Sequence, residues 1–309
     1  MTKIKKERVP MSSIARKELR KRTATSYAFV LPYFLCFCLF TVLPVLISIV
    51  FSFTSFNVLE PPKFTGLENY IRMFFKDSIF LIALKNTLLI AIVTGPIGYL
   101  LSLLMAWFIN ELTPKIRAFV TLIFYAPTIS GNVYMIWSLL FSGDSYGYIN
   151  STLIRLGVIQ SPIQFLKDTD YMMPIVIGVS LWMSLGAGFL SFIAGFQGVD
   201  KSYYEAAAMD GVKNRWQELW FVTLPMMRNQ MMFSAVMSIT SSFNVGGVVT
   251  GLFGFPSTDY AVHTIMNHLE DYGGTRFEMG YASAIATFLF IIMVGVNLVV
   301  RRLVAKVGS

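Results

Sequence analysis

Residues 203–211 are Tyr-Tyr-Glu-Ala-Ala-Ala-Met-Asp-Gly, and the polar segment that they begin closes at Leu224-Pro225. The segment contains charged residues and strong helix formers, yet it lies between two long apolar runs. A chain this apolar has little reason to carry a compact charged helix unless something outside the bilayer grips it. The segment therefore predicts a docking helix that connects membrane spans to another protein.

The composition is that of a membrane protein. Hydrophobic residues occupy 55% of the 309 positions and charged residues 14%, whereas an ordinary soluble domain has roughly 25% charged residues. The apolar runs are evenly spread, so we expect one embedded bundle rather than several domains. Cys36 and Cys38 are the only cysteines, and we expect them to be small hydrophobic side chains buried against lipid or another helix.

Six apolar runs are long enough to cross a hydrocarbon core of about 30 Å, which takes roughly 20 helical residues. The runs lack the two-residue alternation of barrel strands, so each is expected to be a helix. The Pro and Gly residues inside them fit close helix packing and bends equally well. The predicted fold is all-α with six transmembrane helices at about 27–53, 86–108, 118–140, 172–196, 231–253 and 280–300.

The distribution of basic residues predicts the orientation. The N-terminal tail holds nine Lys and Arg, the next loop on that side two, the 197–228 loop four and the C-terminal tail three, which places 18 of 25 on one side. Positive loops stay in the cytoplasm, so both termini and the 197–228 loop are predicted to be cytoplasmic. The net charge of +8 then reflects topology and does not indicate nucleic-acid binding. The predicted divisions are a basic tail (1–26), a transmembrane domain (27–300) and a second tail (301–309).

Three further features are given ordinary structural roles. The first apolar run is too long for a signal peptide and no cleavage site follows it, so we expect it to be retained. Asn150 begins a glycosylation sequon, but we expect only a polar residue that starts an outer turn. His263 and His268 lack the spacing of a metalloprotease pair, so we expect ordinary surface histidines.

The residues of the 197–228 loop predict helix, glycine break, helix. Asp200 and Ser202 are good N-cap residues, and Gly211 is the residue expected where the first helix stops. The second piece presents apolar residues at helical spacing, and exposed aromatic rings beside charges suit docking into a partner's groove. These residues are Trp216, Leu219 and Trp220, and Leu224-Pro225 is expected to end the piece.

At these positions the chain resembles the integral-membrane subunits of ATP-binding-cassette importers. Their signature begins with Glu-Ala-Ala, followed after three residues by Gly. About nine residues later come an apolar residue, one further residue and Leu-Pro. Glu205, Gly211 and Val222 occupy the matching positions, but ten residues separate Gly211 from Val222. Residues 66–70, 86–87, 210–211 and 279–282 look like the carbohydrate branch, particularly the first member of the maltose or glycerol-phosphate permease pair. The resemblance implies an ATPase-coupling set of Glu205, Ala206, Ala207, Asp210, Gly211, Trp216, Leu224 and Pro225.

The resemblance also implies an assembly in the bacterial cytoplasmic membrane. In that branch the permease pairs with a second six-span subunit, two ATPase subunits bind below, and an extracellular or periplasmic solute-binding protein delivers the sugar. The chain has no phosphate-binding Gly-x-x-x-x-Gly-Lys-Ser/Thr motif, so no cofactor is expected here, and ATP and Mg²⁺ are expected on the partner ATPases. The permease itself is expected not to be an enzyme.

A sugar route through lipid requires hydroxyl partners and aromatic faces that point into the bundle. The fifth span has the densest polar cluster, and the corresponding part of the maltose permease subunit lines its sugar site. Many such hydroxyls bond only to their own backbone, so each residue also has a purely structural explanation. The predicted lining residues are Thr128, Asn132, Tyr134, Trp182, Ser184, Ser238, Ser241, Ser242 and Asn244.

Ionisable residues are absent from the predicted span cores, apart from Lys85 at the mouth of the second span. Proton or sodium relays therefore lack their usual groups, which favours an external energy source and a neutral substrate. The alternatives are an importer permease for another solute, such as a glycerophosphodiester, and a channel or membrane enzyme not coupled to ATP. Activation of an ATPase by a sugar-loaded binding protein would separate a pump from a pore.

Overall fold

The computed structural model describes residues 13–130 and 133–304, which are mostly helical. The first apolar run forms helix α1 (Ser13–Phe37), a π-helical turn (Cys38–Val42) and helix α2 (Leu43–Phe51). In the described structure, no residue of its most apolar stretch is buried. Cys36 is exposed and Cys38 is partly exposed. The rest of the described chain does not cover the two cysteines, so of the two expected surroundings, lipid and another helix, their exposure agrees with lipid.

A short hairpin and two helices follow. Strand β1 (Thr54–Ser55) pairs antiparallel with β2 (Lys63–Phe64), and helix α3 (Glu68–Phe75) precedes the long helix α4 (Ser78–Asn110). Helix α4 begins well before residue 86 because the Asp77 carboxylate caps it, accepting a hydrogen bond from the Phe80 N–H at 2.9 Å.

The third and fourth runs each contain two helices. Helices α5 (Pro114–Ile129) and α6 (Val133–Leu140) meet at 89°. After helix α7 (Tyr148–Arg155), helices α8 (Thr169–Met183) and α9 (Ala187–Gly198) are separated at Gly186. The sequence left packing and bending open for the Pro and Gly residues of these runs, and the described structure bends between α5 and α6 and interrupts the fourth run at Gly186.

The 197–228 loop contains helix α10 (Lys201–Met209), helix α11 (Arg215–Glu218), a π-helical turn (Leu219–Thr223) and helix α12 (Leu224–Met226). Helix α13 (Arg228–Phe243) follows, and helix α14 (Gly246–Phe253) continues the fifth run at an angle of 41°. The predicted stop at Leu224-Pro225 is wrong. Pro225 lies in the first turn of α12, where its missing N–H costs no hydrogen bond, and the backbone changes direction at Met227.

The last part of the chain begins with a 3₁₀ turn (Thr258–Tyr260) and helix α15 (Ile265–Glu270). A π-helical turn (Asp271–Thr275) then leads into helix α16 (Met279–Val304). The Asn86 amide donates hydrogen bonds to the carbonyls of Ala261 and His263, both at 3.0 Å, and fastens α4 to this segment.

Helices α4, α9 and α13 pack together at the centre. Small residues permit the close approach: a Cβ on Gly98 would lie 2.9 Å from the Ser184 Cβ. Among the described residues, four helical stretches are long and apolar enough to cross a membrane, and the number rises to six if each bent pair, α5–α6 and α13–α14, forms one span. The four are Lys21–Phe51, Ser78–Asn110, Thr169–Gly198 and Met279–Val304.

Asn150 has a larger structural role than predicted. Its side chain is fully buried and donates to the carbonyls of Ser142 and Ile163, each at 2.9 Å, while its oxygen accepts from the Ile163 N–H at 3.0 Å. Asn150 lies in the first turn of α7, as expected of a polar residue that starts a turn, and it also closes the 141–168 connection from inside.

Candidate functional site

The first helix of the 197–228 loop has the predicted form. The Asp200 carboxylate caps α10 through the Ser202 N–H at 2.9 Å. Gly211 ends it with a φ of +91°, and the Val212 N–H donates to the Ala207 carbonyl at 3.0 Å, a typical glycine-based helix ending. The prediction of helix, glycine break and helix is confirmed by α10 and α11.

The predicted coupling residues divide into a surface group and a buried group. Glu205, Ala206, Asp210 and Gly211 are exposed, and Ala207 is partly exposed. These residues form one accessible patch on and after α10. Leu224 is 3% exposed and Pro225 is partly buried, so this pair packs into the bundle and anchors the loop.

The second half of the loop differs from the predicted aromatic docking face. Leu219 is buried, whereas Trp220 is exposed. The Trp216 ring, 55% exposed, lies 4.8 Å from the Trp107 ring near the end of α4. One face of Trp216 therefore contacts the chain's own second long helix.

A cavity of about 360 Å³ lies where α4, α6, α8, α9, α13 and α14 meet. Gly186 and Asn244, at two helix breaks, are among the residues that line it. Its walls carry hydroxyl groups, aromatic rings and apolar side chains in the mixture common in small-molecule sites. Among its lining residues are Thr94, Tyr99, Ser102, Tyr134, Ser180, Ser184, Phe192, Ser234, Ser238, Thr240, Ser241, Ser242 and Asn244.

The structure brings most of the predicted lining residues around this one cavity. Thr128 is not in the lining, and its hydroxyl donates to the Tyr125 carbonyl at 2.8 Å. Trp182 is not in the lining either, because its ring packs edge-on against Trp137 at 5.3 Å. Asn132 lies outside the described residues. The six that do line the cavity are Tyr134, Ser184, Ser238, Ser241, Ser242 and Asn244.

Two serine hydroxyls of α13 tie neighbouring helices together. Ser234 donates to the Gly188 carbonyl at 2.7 Å, and Ser238 donates to the Gly95 carbonyl at 2.8 Å. Ser241 instead donates to its own helix, at the Ser238 carbonyl. Each hydroxyl keeps lone pairs that accept hydrogen bonds, so these serines remain acceptors toward the cavity.

Several cavity residues come from α4 and α8 and were not predicted. Thr94 and Ser102 are eight residues apart, which places them on one face of α4, and this spacing is the sequence signal that could have found them. The hydroxyls of Tyr99 and Ser180 are buried, and neither has a hydrogen-bond partner in the described structure. Leaving buried hydroxyls unpaired is costly, so these two are polar groups that lack a partner behind the cavity wall.

None of the cavity-lining residues is Asp, Glu, Lys, Arg or His. Within the described residues, no group of three or more His, Cys, Asp or Glu could hold a metal ion. The cavity therefore offers neutral hydrogen-bonding groups and ring faces, which suit an uncharged polyhydroxylated ligand better than an anion.

The two histidines belong to a buried cluster away from the cavity. His263 and His268 are 2% and 1% exposed, so the expectation of surface histidines is wrong. Nε2 of His268 lies 3.1 Å from the Asp77 carboxylate, which also accepts from the Tyr281 hydroxyl at 2.8 Å. Nε2 of His263 lies 3.3 Å from Nδ1 of His268. The cluster fixes the start of α4 against α15 and α16.

Comparison with known proteins matches this chain to membrane components of transport systems. A family model described as "Binding-protein-dependent transport system inner membrane component" matches residues 9–309. The probable ABC transporter permease protein YesP of Bacillus subtilis is 30% identical over 292 residues, covering 93% of this chain and 92% of YesP. The lactose transport system permease protein LacF of Rhizobium radiobacter is 32% identical, covering 74% of this chain and 76% of LacF.

A solved structure shares the fold. A chain of a bacterial ABC transporter involved in the import of the acidic polysaccharide alginate superposes with a TM-score of 0.73 at 24% identity, covering 94% of this chain and 98% of that chain. The match with the family model extends over nearly the whole sequence and includes the Glu-Ala-Ala segment at Glu205. The chain therefore belongs to the family of binding-protein-dependent transport system inner membrane components.

Proposed function

We propose that this chain is one permease half of an ATP-binding-cassette importer that moves a neutral sugar or oligosaccharide across the bacterial cytoplasmic membrane. The observation that carries the proposal is the cavity of about 360 Å³, lined by hydroxyls and aromatic rings and free of ionisable side chains in the described structure. Sugars are held by such combinations of hydrogen-bonding groups and ring faces. Relatives named for neutral sugars, lactose and arabino-oligosaccharides, agree with this choice.

The proposed topology has six spans with both termini in the cytoplasm. Each bent pair, α5–α6 and α13–α14, then counts as one span. The α13–α14 break at Asn244 lies in the cavity wall, where polar backbone groups have partners other than lipid. This arrangement puts the 197–228 loop, with its exposed α10, on the cytoplasmic side together with most of the basic residues.

The proposed partners follow from two surfaces. The exposed patch from Glu205 to Gly211 is the contact for one of two ATPase subunits, which supply ATP and Mg²⁺. The second partner is a six-span permease like that of the carbohydrate branch, which would extend the route beyond the cavity of this chain. A solute-binding protein delivers the sugar; an alginate transporter to which this chain is structurally similar has been solved with a periplasmic protein carrying alginate pentasaccharide.

An importer of a phosphorylated solute is the second candidate, since the sn-glycerol-3-phosphate permease UgpA of Agrobacterium fabrum is 25% identical over 252 residues. The lining residues of the cavity disfavour it for this chain. An anion in a membrane site needs a positive partner or several convergent N–H groups, and the described lining offers no basic side chain.

Uptake into lipid vesicles tests the proposal. The complete complex is reconstituted with its binding protein and ATP inside, and uptake of radiolabelled lactose and arabinotriose is compared with that of glycerol 3-phosphate and a digalacturonate. ATP-dependent uptake of a neutral sugar is expected. Uptake confined to the charged solutes would refute the neutral-sugar assignment, and uptake that persists without ATP would identify a channel instead.

A further inference from the structure

The 197–228 loop touches the bundle at a point that its covalent connections do not require. Trp216, at the start of α11, packs against Trp107 near the C-terminal end of α4, with ring centroids 4.8 Å apart and planes inclined by 59°. Trp107 is itself stacked on Phe108 at 5.4 Å. A loop residue thus rests on a helix that is neither the one preceding the loop nor the one following it.

Charged groups reinforce the same contact. Arg215 lies 3.3 Å from the Glu111 carboxylate at the end of α4 and 2.8 Å from Glu218 within its own loop. Arg117 of α5 donates to the Asn110 side chain at 3.0 Å, which holds the α4–α5 turn in place. The Arg215 and Glu111 side chains are 66% and 47% exposed. Exposed ion pairs contribute little because water and salt screen them, whereas ring packing removes apolar surface from water, so the two rings are the main connection.

Trp107 lies on the helix that also forms part of the cavity wall. The same helix carries Thr94, Tyr99 and Ser102 in the cavity wall. Only five residues separate Ser102 from Trp107, which is roughly 7.5 Å along a helix. A hydrogen-bonded helix transmits a displacement over such a distance without bending. Movement of the loop therefore reaches the cavity wall through α4 as well as through α9 and α13.

We propose that Trp107 and Trp216, supported by the Arg215–Glu111 pair, are positioning residues that couple the 197–228 loop to the cavity through α4. The inference rests on the proposed function, because it needs ATPase subunits that move α10. Trp216 then acts within the permease, in addition to any contact of its exposed face with a partner. When the loop is displaced, the ring pair pulls the end of α4, and the wall containing Ser102 moves with it.

The test measures the accessibility of a residue in the cavity wall, so the transported sugar need not be known. Cys36 and Cys38 are replaced by Ala, and Ser241→Cys supplies a single reporter in the cavity. The full complex with both permeases and both ATPases is placed in lipid vesicles. The rate at which a small maleimide labels residue 241 is measured with no nucleotide and with ATP plus vanadate, which traps the closed ATPases. In the reporter background we expect ATP with vanadate to change the labelling rate at least severalfold.

Removing either ring should abolish most of that change. Trp107→Ala and Trp216→Ala are each expected to reduce the ATP-dependent difference to less than twofold, and the double variant should be no worse than either single one. Trp107→Phe keeps a ring and should retain most of the response. Co-purification of the ATPases and the amount of inserted permease show that each variant is assembled, which separates lost coupling from lost structure.

The outcomes distinguish failure of the proposed function from failure of the coupling through α4. If the reporter background itself shows no ATP-dependent labelling, the proposed function fails and this inference fails with it. If the background responds and either alanine variant responds equally, only the coupling through α4 is refuted. Should Trp107→Ala not insert, the result with Trp216→Ala decides, because that residue lies on the surface loop and leaves α4 intact.

Discussion

Asp77 is the residue on which the buried cluster depends. Burial opposes ionisation of its carboxyl, but hydrogen bonds from His268, the Phe80 N–H and Tyr281 outweigh this and hold the pKa of Asp77 well below its ordinary value. The ionised carboxylate therefore caps α4 and receives groups from α15 and α16 at once. A single side chain thus fixes three elements that are distant in sequence.

Acidification is expected to loosen this cluster through His263. Burial and the neighbouring His268 lower the pKa of His263 from 6.5 to about 4. The unfolded chain takes up this proton near pH 6.5 and the folded chain only near pH 4, so the stability is complete above 6.5 and is lost as the pH falls between the two values. The full loss is on the order of 3 kcal/mol.

The measurement is the melting temperature of the detergent-purified protein at pH 7.5 and pH 5. We expect the melting temperature to be about 5 °C lower at pH 5 because of His263. Asp77 does not add to this difference, because its contribution to stability is lost only at lower pH. The His263→Gln variant keeps a hydrogen-bonding group that does not titrate, and its fall should be clearly smaller. Equal pH dependence of the two proteins would show that His263 is not the responsible group.

The histidines also show what a single sequence cannot reveal at this scale. His268 and Asp77 are 191 positions apart, and no local pattern marks them as neighbours. A histidine without a nearby metal-ligand motif is ordinarily at the surface, so the expectation followed the statistics and was wrong. Gly211 was predictable, by contrast, because its role depends on the backbone of its own helix end.

At the scale of elements, helix α16 approaches the β1 strand more closely than a side chain permits. The Gly280 N–H donates to the Phe56 carbonyl at 2.9 Å, and a Cβ on Gly280 would come under 3.0 Å from backbone atoms of Thr54 and Phe56. Backbone atoms of a paired strand cannot move aside cheaply, so a methyl group must push α16 away.

Gly280→Ala is therefore expected to destabilise the protein by about 1–3 kcal/mol. Gly295→Ala is a matched control on the same helix, because nothing lies within 4 Å of a Cβ at that position, and it should be neutral or slightly stabilising. The melting temperatures of the two purified variants are compared, and that of Gly280→Ala should be the lower. Similar values for both would mean that the hairpin adjusts without cost.

The exposed face of α10 carries a second prediction at this scale. Glu205 is exposed and, within the described structure, it has no ion-pair partner, so reversing its charge should leave the bundle intact. We expect Glu205→Lys to insert normally and to reduce uptake by at least tenfold by weakening contact with the ATPase. Glu60→Lys, at an exposed carboxylate of the hairpin segment, is the control and should transport normally. Wild-type uptake by Glu205→Lys would remove α10 from the docking surface.

The spans were predicted from the sequence better than the helix breaks inside them. Apolar runs long enough for a span identify α4 and α16 without further information, because burial in lipid needs only length and hydrophobicity. Gly186 and Asn244 interrupt their runs without a charge or a proline at the break, and a glycine in a membrane helix serves packing as often as bending. Neighbouring helices decide which role it takes, and these are not visible in a local pattern.

At the scale of the whole molecule, the cavity is the feature that sequence reasoning recovers only in part. The cluster on α13 was found because Ser238, Ser241 and Ser242 lie close together in sequence. Tyr99 and Ser180 come from other helices and enter the site only when the bundle assembles. Polar residues of different helices become a single site through three-dimensional packing, so their common role has no signal within one segment.

The number of spans decides the side on which each loop lies, and it gives the last prediction. If the bent pairs α5–α6 and α13–α14 each cross the membrane, the 141–168 connection is outside and the 197–228 loop is inside. If both pairs are re-entrant, the chain crosses four times and these two segments exchange sides. Single cysteines at the exposed positions Ser161 and Ser202, in a background without Cys36 and Cys38, distinguish the two arrangements.

Intact cells are treated with a membrane-impermeant maleimide, and permeabilised cells show that both cysteines are reactive. With six spans, Ser161→Cys is labelled in intact cells and Ser202→Cys only after permeabilisation. The physical reason is charge: the loop around Ser202 and both tails hold most of the basic residues, which are retained in the cytoplasm. Labelling of Ser202→Cys from outside would contradict six spans with cytoplasmic termini, and α10 would then be unable to meet an ATPase that works inside the cell.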